Sequence, residues 1–243
     1  MIEQEWIGGD HFPTWRATLP DRPLTGLTVL VVEDSRVASE AVRLLCLRSG
    51  ARIRRADSIR AALRHLQTYR PCAVLIDMGL PDGNGADMIA TIARTQPRVP
   101  VILGISGDPD KREAAMAAGA DGFLPKPIES LAVFQQTILA ALPPEAQPKG
   151  LRLLPDEVIP ADPGALRDDL AHVAEVLSVA EDTAAIDYIA RFLAGVARSA
   201  HDRMLEDAAT ALARDHADGR ALATDLARIS GLVQDRLSAV RIS

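Results

Sequence analysis

The chain of 243 residues is long enough for two modest domains, and its contents of 48% hydrophobic and 25% charged residues are typical of a water-soluble protein. No apolar run reaches about 18 residues, so we expect no membrane-spanning segment. The acidic N terminus lacks the basic start and apolar core of a signal peptide. Two isolated cysteines, Cys46 and Cys72, favour a reducing compartment without a metal cluster, and we expect a cytoplasmic protein.

The net charge of −6 is unevenly distributed along the chain. Residues 1–150 contain 17 basic and 17 acidic side chains, whereas residues 151–243 contain 10 basic and 16 acidic side chains. A domain that reads DNA normally carries the opposite sign, because it must neutralise phosphates. The distribution therefore argues against nucleic-acid binding by the C-terminal part.

The first elements are an arm and an alternating series of strands and helices. Residues 1–24 form an N-terminal arm, in which Trp6 and Trp15 either pack on the body of the protein or contact a partner. Residues 25–141 alternate between apolar strands and helices, which predicts an α/β fold with a five-stranded, parallel, doubly wound sheet. We predict strands near 27–32, 51–55, 73–76, 100–105 and 121–124, and helices near 35–49, 58–69, 84–95, 109–119 and 128–141.

Polar residues follow four of these strands, and parallel strands present their carboxyl ends at one edge of a sheet. Glu33 and Asp34 follow the first strand, and Asp77 follows the third. Three converging carboxylates require a cation, and a hard ion with oxygen ligands, Mg²⁺, suits them best. Ser106 and Lys126 follow the last two strands and can neutralise the oxygens of a transferred phosphoryl group. Asp77 would be the nucleophile that forms an acyl phosphate.

Residues 25–141 resemble the receiver domain of a two-component response regulator. Besides the acidic pair, the central Asp, the hydroxyl and the Lys, the match includes Pro81, Gly85 and Pro127, where a cis bond is usual in the family. One departure is Gly107, where relatives commonly have Ala.

This resemblance implies a role for each matching position. It implies a phosphoacceptor that Lys126 assists, a switch in which Phe123 follows Ser106 inward, and signalling through the face formed by the fourth helix, the fifth strand and the fifth helix. The implied Mg²⁺ ligands are Glu33, Asp34, Asp77 and the backbone carbonyl of Gly79.

The remainder of the chain is predicted to be a linker and an all-α helical bundle. Six prolines in residues 142–163 predict a semi-rigid linker, and residues 164–243 show helical periodicity. One helix begins at Asp162-Pro163 and a third near Leu222. The second begins at Thr183 and, if it is continuous to about residue 216, has roughly 34 residues and a length of about 50 Å.

We interpret this bundle as an interaction or dimerisation module, because near-heptad apolar stripes rich in alanine allow close helix approach. Two alternatives remain. The first is phosphotransfer through His201, which an acidic residue follows as in the His box of sensor kinases. Residues 222–231 also resemble the helix that carries the His of a histidine phosphotransfer domain, with Arg228 in its place, which would make this a degenerate bundle. The second alternative is a DNA-binding helix-turn-helix.

The whole sequence thus predicts a response regulator of a phosphorelay. Its expected partners are a sensor histidine kinase or a phosphotransfer protein, a downstream protein, and a second copy of itself in a homodimer, without nucleic acid or membrane. We expect a phosphoacceptor that can lose its phosphoryl group again, and no separate catalytic domain.

Overall fold

The computed structural model describes residues 21–147, 154–179 and 183–239. The N-terminal arm up to residue 20, with Trp6 and Trp15, lies outside the described residues, as does part of the linker. Within the described part of the chain, no helix is both long and apolar enough to cross a membrane.

The first domain is an α/β sandwich, as the sequence predicts. Its strands are β1 (Thr28–Val32), β2 (Arg52–Ala56), β3 (Ala73–Asp77), β6 (Val101–Ser106) and β7 (Gly122–Pro125), with a small hairpin of β4 (Gly79–Leu80) and β5 (Gly83–Asn84). Its helices are α1 (Arg36–Ser49), α2 (Ile59–Thr68), α3 (Gly85–Ala93), α4 (Lys111–Ala117) and α5 (Leu131–Ala141). The large sheet is parallel with the order β2-β1-β3-β6-β7, which confirms the predicted fold class.

Alternation along the strands divides the core between the two faces of the sheet. Val29 and Val31 of β1 pack with α1 and α5, whereas Leu30 and Val32 pack with α2, α3 and α4. A strand that is apolar on both sides has to be buried on both sides, which is why helices cover both faces. Ser35 begins α1 by accepting a hydrogen bond from the Ala38 amide (3.2 Å).

The described part of the linker packs against the α/β domain. Ile159 is buried in its core, and its amide donates to the Glu129 carbonyl (2.9 Å). Ser130 and Val158 form an antiparallel bridge. These contacts fix the end of the linker to the segment just before α5.

The C-terminal part, hereafter the helical domain, consists in the described residues of α6 (Pro163–Val179), α7 (Thr183–Ser199), α8 (Arg203–Ala217) and α9 (Ala223–Ala239). Its buried core includes Leu170, Val173, Leu193, Leu212 and Ile229. The all-α prediction is confirmed.

The prediction of one continuous second helix is wrong, because the chain turns between α7 and α8. Asp202 caps α8 by accepting from the Leu205 amide (3.1 Å), and Arg236 of α9 holds the same carboxylate at 2.7 Å. His201 has a left-handed backbone conformation (φ 54°) and therefore lies in a turn and not on a helix face. Its Nε2 is 2.8 Å from Glu129 Oε1.

Candidate functional site

Three carboxylates meet at the carboxyl edge of the sheet. Glu33 and Asp34 follow β1, and Asp77 ends β3, the strand paired with β1. One oxygen from each carboxylate lies within 4.8 Å of the other two. Glu33 and Asp77 are only 4% and 7% exposed, so water screens their charges poorly. We call these three residues the acidic cluster.

Lys126 supplies one positive charge to the acidic cluster. It follows β7, and its Nζ lies 2.6 Å from Glu33 Oε2 and 3.0 Å from Asp77 Oδ1. Burial lowers the pKa of Lys126, but the facing carboxylates of Asp77 and Glu33 outweigh that effect and hold the pKa above its usual value. Lys126 is therefore protonated and shared between two carboxylates.

A single lysine does not compensate three acids. Burial raises the pKa of Glu33 to about 8, although Lys126 opposes the shift. Burial also raises the pKa of Asp34, and the charge of Asp77 adds to this effect. Both pKa shifts reflect the burial of closely spaced carboxylates, whose charges additional positive charge would stabilise. Three carboxylate oxygens at these separations fit a hard divalent cation, which would supply that charge.

A glycine allows the loop after β3 to pass close to Asp77. A Cβ atom at Gly85 would lie 2.1 Å from the Asp77 carbonyl oxygen and 2.8 Å from Met78 Cα, so only glycine fits. Gly79, the predicted carbonyl ligand, lies in the hairpin within this loop. The hairpin thus brings main-chain atoms of Gly79 to the same side of the site as the acidic cluster.

The two predicted switch residues lie at different depths. Ser106 ends β6, and its hydroxyl accepts a hydrogen bond from the Asp108 amide (3.1 Å). Phe123 is buried in the core below, and the Arg112 guanidinium carbon lies 5.0 Å from its ring centroid. The peptide bond between Lys126 and Pro127 is cis.

One cavity of about 360 Å³ brings the predicted residues together, apart from Phe123, and we call it the acidic cavity. The wall on the side of the α/β domain includes Glu33, Asp34, Asp77, Gly79, Ser106 and Lys126. Its opposite wall is helix α7, through Arg191, Phe192, Gly195 and Arg198 among others. The cavity is partly open to solvent. Sequence reasoning did not anticipate that a second domain would cover the site.

The helical domain is bound to the start of α1 by one buried carboxylate. Asp169 of α6, 2% exposed, accepts hydrogen bonds from the Arg36 amide (2.8 Å), the Val37 amide (3.0 Å) and the Ser35 hydroxyl (2.9 Å). These are free amides at the N terminus of a helix, where a negative charge is favoured. The Val37 side chain belongs to the core of the helical domain.

Helix α7 adds two direct contacts beside the acidic cluster. The Tyr188 hydroxyl donates to Asp34 Oδ2 (2.9 Å), and Arg198 Nη1 donates to the Gly107 carbonyl (2.8 Å). Burial, together with the charge of Asp34, raises the pKa of Tyr188, so its hydroxyl remains a donor. The helical domain therefore contacts the β1–α1 and β6–α4 loops.

Gly107 leaves room for the Arg198 side chain. A Cβ atom there would lie 1.9 Å from Arg198 Nη1, so a side chain would displace the guanidinium. Gly107 was the one sequence signal of this contact. Tyr188 and Asp169 stand in no motif that could have identified them. The docking also differs from the expected signalling route, because α1, and not the face of α4, β7 and α5, makes the main contacts with the helical domain.

The model of the family "Response regulator receiver domain" matches residues 29–137. The KDP operon transcriptional regulatory protein KdpE of Escherichia coli is 30% identical over 99 residues, or 41% of this chain and 44% of that protein. The response regulator MprA of Mycolicibacterium vanbaalenii is 30% identical over 120 residues, or 48% and 52%. This chain thus spans about half the length of these relatives.

Among solved structures, the chain is similar to the receiver domain of sensor histidine kinase PA1611 from Pseudomonas aeruginosa PAO1, which was determined with a magnesium ion coordinated in its active site cleft. The identity is 27% and the TM-score 0.42, and the match covers 46% of this chain and 93% of that chain.

Proposed function

We propose that this chain is a phosphorelay response regulator in which Asp77 accepts a phosphoryl group, because residues 29–137 match the family model of the response regulator receiver domain. The observation that carries the proposal is the position of Lys126, 3.0 Å from Asp77 Oδ1 at the edge of a buried acidic cluster. Lys126 contacts Oδ1 of the Asp77 carboxylate, and we assign the nucleophilic attack to the other oxygen, Oδ2.

The proposed reaction moves a phosphoryl group from a donor to the Asp77 carboxylate. An Asp77 oxygen forms a bond to phosphorus while the bond between phosphorus and the leaving group of the donor breaks. Glu33, Asp34, Asp77 and the Gly79 carbonyl would hold a Mg²⁺ ion, which supplies charge neutralisation for the phosphoryl oxygens. Lys126 and the Ser106 hydroxyl would each bind one of those oxygens.

Phosphorylation would regulate the position of the helical domain, and thereby the surface that this domain offers to a partner protein. Arg198 holds the carbonyl of Gly107, which directly follows Ser106. If Ser106 moves toward a phosphoryl group on Asp77, the Gly107 carbonyl moves with it, and the hydrogen bond to Arg198 changes length. This contact supports a direct route from the phosphorylation site to the helical domain.

A transcriptional output is the second candidate, since KdpE is named a transcriptional regulatory protein. The excess of acidic side chains in residues 151–243 argues against direct DNA binding. Phosphotransfer through the helical domain has less support. His201 lies in a turn and contacts Glu129, and Arg228 on α9 is exposed where a phosphotransfer histidine would stand.

Labelling with radioactive acetyl phosphate tests the proposal. Wild-type protein with Mg²⁺ should incorporate label, and Asp77→Asn should abolish it because the amide is not a nucleophile. Asp87→Asn is the matched control, since Asp87 is an exposed acid on α3 and should leave labelling unchanged. Undiminished labelling of Asp77→Asn would overturn the assignment, and a chelator should remove labelling of the wild type.

A further inference from the structure

The position of α7 bears on which donors can reach Asp77. The acidic cavity has a volume of about 360 Å³, which is at the lower end of the range for small-molecule pockets. A phosphohistidine on a protein helix brings that helix, about 10 Å wide, to the mouth of the site. Because α7 already lines the cavity opposite the acidic cluster, the cavity can admit a small phosphodonor, but a second helix finds no room beside Asp77.

The α7 wall of the cavity belongs to an interface between the two domains that several specific contacts hold together. Its contacts involve a carboxylate that accepts three hydrogen bonds, a tyrosine hydroxyl on Asp34 and a guanidinium on the Gly107 carbonyl. Val37 of α1 is 1% exposed within the core of the helical domain. Removing α7 from the acidic cavity would therefore break several polar contacts and expose apolar surface.

We propose that helix α7 makes the acidic cavity selective by size, so that in the docked arrangement Asp77 reacts with small donors such as acyl phosphates or phosphoramidate. A histidine on a protein helix reaches Asp77 only after the helical domain has left. This inference rests on the proposed function and adds the class of donor. With acetyl phosphate, Asp77 forms the new oxygen–phosphorus bond, the old one breaks, and acetate leaves with its electron pair, so no further reactant is needed.

The size limit follows from the reach of the reacting atoms. Transfer requires the donor atom to approach to about 3–3.5 Å along a line to Asp77. A side chain on a protein surface brings its whole backbone segment with it, and α7 occupies that space. Gly195 leaves open space at the α7 wall of the cavity, because a Cβ atom added to it would meet nothing within 4 Å.

The test measures access to position 77 without any phosphoryl transfer. In the full-length Asp77→Cys variant, the thiol is treated with methyl methanethiosulfonate or with a maleimide attached to a folded carrier protein. Tandem mass spectrometry then quantifies the label at position 77 separately from that on the free Cys72, which lies on the same peptide. The first reagent should react in both arrangements. The maleimide on the carrier protein should react about tenfold faster or more once Asp169→Ala is added. This change removes hydrogen bonds to a charged group that hold the helical domain in place.

Two results would overturn the inference. One is equal reaction of the carrier-bound maleimide with and without Asp169→Ala, and the other is a docked protein that excludes even the small reagent. If Asp169→Ala does not fold, Arg198→Ala serves as the second undocking variant, because it removes a different contact. Loss of acetyl phosphate labelling in Asp77→Asn is measured separately, so failure of the proposed function is distinguishable from failure of the size limit.

A matched pair of variants tests the same inference with the natural phosphoacceptor present. Gly195→Leu adds a side chain to the α7 wall of the cavity. Gly231→Leu makes the same change on α9, where an added Cβ also meets nothing within 4 Å. Only Gly195→Leu should slow labelling by acetyl phosphate, and adding Asp169→Ala should restore the rate. Equal rates for both leucine variants would contradict the inference, provided that the carrier-bound maleimide still reacts slowly in Gly195→Leu/Asp77→Cys.

Discussion

The contact between Arg198 and Gly107 makes even an alanine at position 107 unfavourable for docking. In Gly107→Ala, the added Cβ would lie 1.9 Å from Arg198 Nη1, so the guanidinium has to move and its 2.8 Å hydrogen bond to the carbonyl is lost. The backbone of Gly107 does not have a positive φ, so alanine introduces no strain of its own. The whole effect should therefore fall on docking.

The magnitude follows from the hydrogen bond. A hydrogen bond to a charged group contributes about 1.5–3 kcal/mol, and the Arg198 side chain is 30% exposed, which reduces this toward about 1–2 kcal/mol. A change of that size alters the docking equilibrium by about 5–30-fold. Docking stability should fall by this amount, while the fold of each domain is unaffected.

Hydrogen exchange of the Arg36 and Val37 amides reports docking, because Asp169 of the helical domain accepts hydrogen bonds from both. Their exchange should accelerate by the same factor in Gly107→Ala. In an Arg198→Ala background, Gly107→Ala should have no additional effect, since the clashing group is absent. Unchanged exchange in the single variant, or the same acceleration in both backgrounds, would refute the reasoning.

Further predictions concern the core, the interhelical turn and the lysine. Leu193→Ala should destabilise the helical domain by about 2–5 kcal/mol in thermal or urea unfolding, because Leu193 is fully buried. The hydrogen bond from Arg236 lowers the pKa of Asp202 below its usual value of 3.8. The stabilisation that the ionised Asp202 contributes is therefore fully present above the pKa of the unfolded state, and it is lost as pH falls through the pKa of the folded state. Asp202→Asn keeps the cap but should reduce the loss of stability measured below about pH 4. Lys126→Met should leave Mg²⁺ binding intact in calorimetry but abolish the acetyl phosphate-dependent change in hydrogen exchange, and full retention of that change would count against a role for Lys126.

The sheet and its acidic edge could be predicted because local patterns determine them. Strands with two apolar faces need helices on both sides, and this fixes a parallel sheet whose carboxyl ends lie together. Glu33, Asp77 and Lys126 each directly follow or end a strand, so their convergence follows from topology alone. No detailed knowledge of side-chain packing is required.

The turn between α7 and α8 and the docking of the helical domain depend on contacts distant in sequence. The apolar stripe continues across the turn through Ala200 and Met204, but Asp202 is stabilised as a cap by Arg236, 34 positions away. Asp169 likewise binds amides more than 130 positions earlier. Periodicity contains no information about such pairs. Gly107 was the exception, because a missing side chain can indicate that another group needs the space.

The most direct test of the central claim is to locate the phosphoryl group. After treatment with acetyl phosphate and Mg²⁺, borohydride reduces an aspartyl phosphate to homoserine, and peptide mass spectrometry identifies the altered position. The account predicts this conversion at Asp77 in the wild-type protein, and none in the same sample treated with a chelator. Conversion at another aspartate, with Asp77 unchanged, would contradict it.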